Sequence, residues 1–211
     1  MKEINEEMLA ALRESVMQGM SQKRFAHTLA VEEMIVRLCA LFCPQYTDVM
    51  RAAALLHDVT KELDTAAQVA LCQKYGLSVS EADMASPKTF HARTAAAKIA
   101  REMPDFNDSL IVNAVRWHTT GHADMTLTEK LLYLADYIDA SRTFESCVML
   151  RNFFFDAQPD KMRGAEREEL LRKTLILSYD MTIKDLLESG KTVAVETIEA
   201  RNALVLAGMG D

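Results

Sequence analysis

Glycine and proline, which most often end helices, are scarce in this chain. The 211 residues include only 7 Gly and 4 Pro, so long stretches have nothing to interrupt a helix. Apolar residues recur at helical spacing, as at Ile4, Met8, Leu12 and Val16, and no stretch alternates as a strand would. The sequence therefore predicts an all-α fold.

The length and the apolar content favour one helical domain. Nearly half of the residues are apolar, which is enough to bury a sizeable core. No repeat or low-complexity linker divides the chain. We expect a single domain over residues 1–211, with a core at about 20–142 and a C-terminal helical extension at about 143–211 that packs back on it.

Capping residues predict where several helices begin. A side-chain oxygen at the N-cap accepts a hydrogen bond from a free backbone N–H of the first turn. The predicted caps are Ser21, Asp64, Asn107 and Thr126, the last with Glu129 in a capping box. Gly76 is predicted to end the helix that starts at Asp64. Two further helices are predicted at about 164–187 and 195–206.

Charge and apolar patterning exclude several classes of protein. The net charge of −7 argues against general nucleic-acid binding, which needs a basic surface. No stretch of about 18 apolar residues could span a membrane, and the acidic N-terminal segment MKEINEEMLAAL does not resemble a signal peptide. We expect a cytoplasmic protein whose cysteines are buried thiols.

Histidine and aspartate supply the candidate functional residues. Imidazole and carboxylate are ligands of first-row metals in proteins without a cysteine cluster. The candidate ligands are His27, His57, Asp58, His91, His118 and Asp136. The fifth histidine, His122, follows Gly121 in a predicted loop, and we expect it to face solvent or lie near a substrate without being a ligand.

Each candidate ligand has a structural alternative when it is considered alone. A single histidine near a helix end more often interacts with the helix dipole than with a metal. Asp136 is harder to explain in this way, because LLYLADYIDA places it where a core face is expected and an unpaired buried charge is unfavourable. His57 and Asp58 are neighbours, and neighbours on a helix project about 100° apart. The doublet can therefore straddle two ions, with Asp58 as the bridge.

Several motifs together resemble the YqeK family of HD-domain proteins. They are KRFAHTLAVEE, AALLHDVTKE, FHARTAA, AVRWHTTG and EKLLYLADYID, together with TIEARN at 197–202. The resemblance covers roughly residues 20–205. It implies an HD-domain helical bundle with a metal site between helices, symmetrical hydrolysis of diadenosine tetraphosphate to two ADP, and a centre that contains iron.

The ligands can be divided between two ions. We assign His27, His57, Asp58 and Asp136 to one ion, and His91, His118 and the bridging Asp58 to the second. This mixed set suits Fe, Mn or Co better than Zn, which favours fewer ligands in tetrahedral geometry. Whether one or two ions bind is left open.

Cationic and hydroxyl residues beside the ligands are candidates for phosphate binding. We expect Asp58 and Lys61 to be catalytic, since Lys61 follows the doublet by three residues. The expected substrate-binding residues are Arg24, Lys61, Thr119, Thr120, Gly121 and Arg142. Surface salt bridges for the arginines, an exposed lysine, and a simple helix stop at Gly121 remain alternatives. Trp117 is either a platform for a base or a core residue.

Other functions remain open at this point. From the resemblance we expect the partner of the site to be a dinucleoside polyphosphate or another nucleotide, with no nucleic acid and no membrane; a homodimer is left open. A nucleotidase or other phosphomonoesterase would use the same ligands. A di-iron oxygenase or a regulator without activity is less favoured, because Lys61 suits phosphate and because regulators usually lose ligands.

Overall fold

The computed structural model describes residues 3–209, which form eleven α-helices and no strand. The helices are α1 Glu6–Gln18, α2 Gln22–Phe42, α3 Thr47–Leu56, α4 Thr65–Lys74, α5 Glu81–Ala85, α6 Phe90–Glu102, α7 Ser109–Trp117, α8 Leu127–Ile138, α9 Glu145–Asp156, α10 Gly164–Glu188 and α11 Val195–Ala207. The prediction of an all-α fold is confirmed. Each of the 4 prolines begins a single 3₁₀ turn between helices, where its missing N–H is not needed.

Three of the four predicted caps are confirmed. Ser21 accepts a hydrogen bond from Arg24 N (3.2 Å) and Asp64 accepts one from Ala67 N (2.8 Å). Thr126 and Glu129 form the predicted capping box, and Gly76 follows α4 in the left-handed region, at φ +67°.

The predicted cap at Asn107 is wrong, because Asp108 caps α7 instead. Its carboxylate accepts a hydrogen bond from Leu110 N at 2.7 Å. Asp108 has the extended backbone that a cap requires (φ −107°, ψ 140°), whereas Asn107 follows a 3₁₀ turn with ψ 66°.

The core lies between α2, α3, α7 and α8. Helix α3 is central: it packs on α2 and on α7, while α8 packs on both α2 and α7. The segment Ala52–Leu56 is fully buried, so α3 has no polar face in its second half. Its small alanines allow the neighbouring helices to approach closely. This buried helix delivers His57 and Asp58 to the interior of the molecule.

The residues after 142 form a second layer on this core. Helix α9 packs on α8, α10 packs on α9 and α8, and α11 packs on α10. Tyr179 of α10 is fully buried and stacks on Tyr133 of α8, with ring centroids 4.6 Å apart. Among residues 3–209, no helix combines the length and the apolar composition needed to cross a bilayer.

Candidate metal centre

The six predicted ligands converge on one point, although five helices carry them. His27 lies in the second turn of α2, and Asp136 lies in the last turn of α8. The other four stand at helix ends: His57 and Asp58 directly follow α3, His118 directly follows α7, and His91 is the second residue of α6. A side chain at a helix end can point along the helix axis, beyond the last turn. Several helices can therefore bring their ligands together in a small volume.

Asp58 lies between two pairs of histidines. Its Oδ2 is 3.4 Å from Nε2 of His57 and 3.8 Å from Nε2 of His27. Its Oδ1 is 3.3 Å from Nε2 of His91 and 3.6 Å from Nε2 of His118. Each carboxylate oxygen therefore faces one pair, which is the geometry that a bridging ligand requires.

Asp136 belongs to only one of these pairs. Its Oδ1 lies 3.0 Å from Nε2 of His27 and 3.8 Å from Nε2 of His57. These three residues form one group whose ligand atoms lie within 4.8 Å of one another, and His57, Asp58 and His118 form another. His91 adjoins the second group, with Nε2 3.0 Å from Nε2 of His118.

Unpaired polar atoms show that this set fits a metal ion. Nε2 of His27, Nε2 of His57 and Oδ1 of Asp58 are buried and have no hydrogen-bond partner. Unpaired buried polar atoms are unfavourable, and coordination to a cation satisfies all three. The residues can therefore hold a metal ion.

Three of the histidine rings are oriented by their own backbone. In each of them Nδ1 contacts the carbonyl oxygen of the residue three positions earlier. The acceptors are Ala54 for His57 (2.6 Å), Lys88 for His91 (2.8 Å) and Val115 for His118 (2.7 Å). Since a carbonyl only accepts, Nδ1 carries the proton and Nε2 presents a lone pair to the centre.

His27 is oriented by distant residues, because it lies inside a helix where the carbonyls are already bonded. Its Nδ1 lies 3.2 Å from Oγ of Ser141 and 3.4 Å from Oδ2 of Asp139. Asp139 is fully buried, and Ser141 donates to its other oxygen. The sequence analysis missed Asp139. The available signal was a second aspartate three residues after Asp136 in LADYID.

The carboxylates of the centre are held in their charged form. Burial alone raises the pKa of Asp58, but the adjacent histidines hold that pKa well below its usual range. Asp136 is likewise buried, and Arg142 with His27 keeps its pKa low. Burial lowers the pKa of His27, but Asp136 and Asp139 outweigh this and raise it to about 9. The same carboxylates attract a metal ion, which competes with a proton for Nε2 of His27.

Three cationic side chains surround the ligands. Arg24 Nη1 lies 2.7 Å from Oδ2 of Asp58, and Arg142 Nη2 lies 2.6 Å from Oδ1 of Asp136. Lys61 Nζ lies 3.0 Å from Nε2 of His91, and burial lowers the pKa of Lys61. Lys61 is half-buried, so the alternative of an exposed lysine is wrong. Both arginines do form salt bridges, and their partners are candidate ligands. All three cations touch a candidate ligand.

The turn after α7 brings only one of its three predicted residues to the centre. Thr119 Oγ1 lies 3.1 Å from Nε2 of His91. Thr120 is buried and donates to the carbonyl of Gly121, while Gly121 N donates to Trp117 O at 2.9 Å with φ +64°. The expectation that Gly121 N–H binds phosphate is wrong, because this N–H is used in the helix stop. The Thr120 hydroxyl is likewise already bonded.

Trp117 and His122 pack on each other. Their ring centroids are 4.5 Å apart, and Arg116 lies 3.9 Å from the centroid of Trp117. His122 is half-buried, with Nε2 3.0 Å from Oε2 of Glu129, and it lies in neither group of candidate ligands. These contacts favour the packing interpretation of Trp117 over base stacking.

A protein-family model described as HD domain matches residues 24–141 of this chain. That segment contains every candidate ligand and is more than half of the 211 residues. The chain belongs to the HD-domain family. The resemblance to the YqeK family is confirmed by relatives that match over most of the chain.

Curated relatives of this HD-domain protein carry one name, symmetrical bis(5'-nucleosyl)-tetraphosphatase. The protein from Halalkalibacterium halodurans is 30% identical, with 89% of this chain and 91% of that protein covered. The proteins from Staphylococcus aureus and Bacillus subtilis are 29% and 28% identical, covering 86% and 95% of this chain and 86% and 97% of those proteins.

A solved structure has the same fold. It is a protein from Clostridium acetobutylicum described as a predicted HD superfamily hydrolase involved in NAD metabolism. The TM-score is 0.81 and the identity 30%, with 94% of this chain and 97% of that chain covered. The similarity therefore includes the helices after residue 142 as well as the HD core.

Proposed function

We propose that this HD-domain protein is a metal-dependent hydrolase that cleaves diadenosine tetraphosphate symmetrically into two ADP. The observation that carries the proposal is Asp58, which stands between two histidine pairs beside a cationic cavity. The name shared by the curated relatives supports the same reaction.

The metal ions would be held by two sets of ligands joined at Asp58. His27, His57 and Asp136 would hold one ion, and His91 and His118 the other. When bound, the ions supply an activated water and neutralise phosphate charge. We propose iron as the resident metal, with Mn or Co as substitutes. Metal analysis of protein purified without added metal tests this choice, and zinc alone would contradict it.

A cavity beside the ligands suits the phosphate chain. It has a volume of about 550 Å³, and its lining includes Arg24, Lys61, Lys88 and His91. We call it the phosphate cavity. The guanidinium of Arg24 donates to Asp58 through Nη1, and its other terminal N–H groups can donate to a phosphate oxygen. Lys61 and Arg24 stabilise the charge that develops on the departing diphosphate.

Cleavage at the central anhydride needs contacts with phosphates on both sides of the scissile bond. Arg24 and Lys61 provide them on the phosphate-cavity side. On the other side we propose the hydroxyl of Thr119, which lies beside His91. Arg142 is bonded to the carboxylate and to the carbonyl of Asp136. We propose that it orients this ligand and meets phosphate with its remaining N–H groups.

Chromatography of the reaction products tests the reaction. The metal-loaded protein should convert diadenosine tetraphosphate to ADP alone. A mixture of ATP and AMP would mean asymmetric cleavage, and phosphate released from AMP or ADP would favour a nucleotidase. NAD belongs in the same assay because of the description of the structural neighbour, and faster cleavage of NAD would overturn the proposal. The cytoplasmic location and a homodimer stay predictions.

A further inference from the structure

A second cavity lies between the metal centre and the C-terminal helices. Its volume is about 390 Å³. We call it the C-terminal cavity. The lining residues that matter here are Pro87, Thr119, Thr182, Leu186, Ala194 and Thr197. Sites for small organic ligands commonly have volumes of about 300–1,000 Å³, are mostly apolar and carry a few polar groups, and this cavity has that character.

The C-terminal cavity adjoins the metal centre directly. Thr119 lines the cavity, and its hydroxyl oxygen lies 3.1 Å from Nε2 of His91. Lys88 lines both this cavity and the phosphate cavity, and its carbonyl holds the ring of His91 at 2.8 Å. The two cavities are therefore neighbours that meet beside His91.

The two cavities differ in chemistry. Three cations, Arg24, Lys61 and Lys88, line the phosphate cavity together with the acidic Asp64. The C-terminal cavity is walled by proline, alanine, leucine and threonine, with Lys88 and Lys191 as its charged members. A purine base is flat and uncharged, so it gains from leaving water for an apolar wall. Phosphate remains better placed beside the cations.

Part of the wall of the C-terminal cavity comes from outside the matched HD segment, whereas Pro87 and Thr119 belong to that segment. The family match ends at residue 141, whereas Thr182 and Leu186 lie one turn apart on α10, and Ala194 and Thr197 stand at the start of α11. The HD segment holds all the candidate metal ligands. The C-terminal extension thus adds residues to the cavity that are not metal ligands. Such residues can distinguish substrates that have the same phosphate chain but differ in the group attached to it.

We propose that the C-terminal cavity is a nucleoside subsite, which holds the base and ribose of one half of the substrate. The diphosphate joined to that nucleoside then passes Thr119 and reaches the metal centre. This inference rests on the proposed function, because it takes a nucleotide as the substrate. The base is assigned to this cavity and not to Trp117, whose ring packs against Arg116 and His122.

Binding measurements on the metal-loaded protein test the subsite. ADP is the probe that carries a nucleoside, and methylenediphosphonate is the probe that carries only the phosphates. Ala194→Phe should fill the cavity and weaken ADP binding about tenfold, with methylenediphosphonate changed less than about twofold. Leu186→Ala should weaken ADP binding by about threefold, since it removes apolar contact only.

Leu187→Ala is the matched control. Leu187 is the neighbour of Leu186 on α10 and is exposed to solvent, so its replacement should leave both affinities unchanged. Metal content and thermal unfolding of each variant show whether it folds. If Ala194→Phe does not fold, Leu186→Ala against Leu187→Ala decides the question.

Two results would overturn the subsite. One is equal weakening of ADP and methylenediphosphonate, which would mean general damage. The other is ADP affinity that stays at the wild-type value in both cavity variants. If the product assay fails but ADP binding responds selectively, the proposed reaction is wrong and the nucleoside subsite stands. If the reaction is found and ADP binding does not respond, only the subsite is wrong.

Discussion

The two sides of Asp58 are built differently. On one side, here called the carboxylate side, His27 and His57 are joined by Asp136, and Asp139 lies behind His27. On the other, the histidine side, His91 and His118 have only the shared Asp58 as an anionic partner among residues 3–209. A metal cation gains more from the side with more negative charge. We therefore expect unequal affinities within one centre.

The two sides also differ in what orients their ligands. The rings of His91 and His118 are held by carbonyls three residues earlier on the same helix. The ring of His27 depends on Asp139 and Ser141, more than a hundred residues away in the chain. The histidine side therefore needs only local structure for ring orientation, whereas the carboxylate side needs the assembled fold.

Removal of the shared ligand should have the largest effect. Asp58→Ala takes a ligand from both sides, so we expect metal binding to fall at both and turnover to drop by on the order of 10³-fold. Metal content per chain and the rate of ADP formation measure this. Near-normal values for both would contradict the two-sided centre.

Replacement of Asp136 should separate the two sides. Asp136→Asn removes charge from the carboxylate side alone, so it should lower the affinity for the ion that binds more tightly. His91→Ala should lower the affinity for the ion that binds more weakly. Titration with Mn²⁺ monitored by calorimetry resolves the two affinities. We expect Asp136→Asn to reduce the tighter affinity more than about a hundredfold. If His91→Ala has the larger effect on the tighter ion, the assignment of the two sides is reversed.

Asp139 should act through His27 without touching the metal. Asp139→Asn removes the charge that faces Nδ1 of His27, and we expect metal affinity at the carboxylate side to fall about 10–100-fold. Metal affinity at the histidine side should not change. A general loss of structure would lower the affinity at both sides, so an effect on one side alone excludes it. Asp156→Asn, at an exposed aspartate, is the control. Equal weakening at both sides would mean that Asp139 only supports the fold.

Lys61 should have the smallest effect on metal and a visible effect on catalysis. It lies on the histidine side, with Nζ 3.0 Å from Nε2 of His91. A protonated lysine has no free lone pair, so it cannot be a metal ligand. Lys61→Ala should leave metal content intact and lower kcat/KM for diadenosine tetraphosphate by about 10–100-fold. Lys61→Arg should restore part of the loss. An unchanged kcat/KM would remove Lys61 from the site.

The sequence predicted the candidate ligands that converge in the fold, and most helix limits, because both depend on local signals. Caps such as Ser21 and Asp64 act within three residues, and histidine and aspartate are rare enough in apolar helices to stand out. The contact between His27 and Asp139 could not be predicted, since it requires the crossing of α2 and α8. The C-terminal cavity was missed for the same reason: Pro87, Thr119 and Leu186 meet only in the folded chain.

The approach of Tyr179 to Gly121 makes the extension and the HD core depend on each other for folding. A Cβ at Gly121 would lie 2.0 Å from the hydroxyl oxygen of Tyr179, whose ring is fully buried on α10. This hydroxyl also contacts Sδ of Met125 at 3.3 Å. The turn that carries Thr119 is thus packed against Tyr179, a residue of the extension. Detaching α10 would expose Tyr179 and Tyr133 together, so the two layers should melt in one cooperative transition rather than in two.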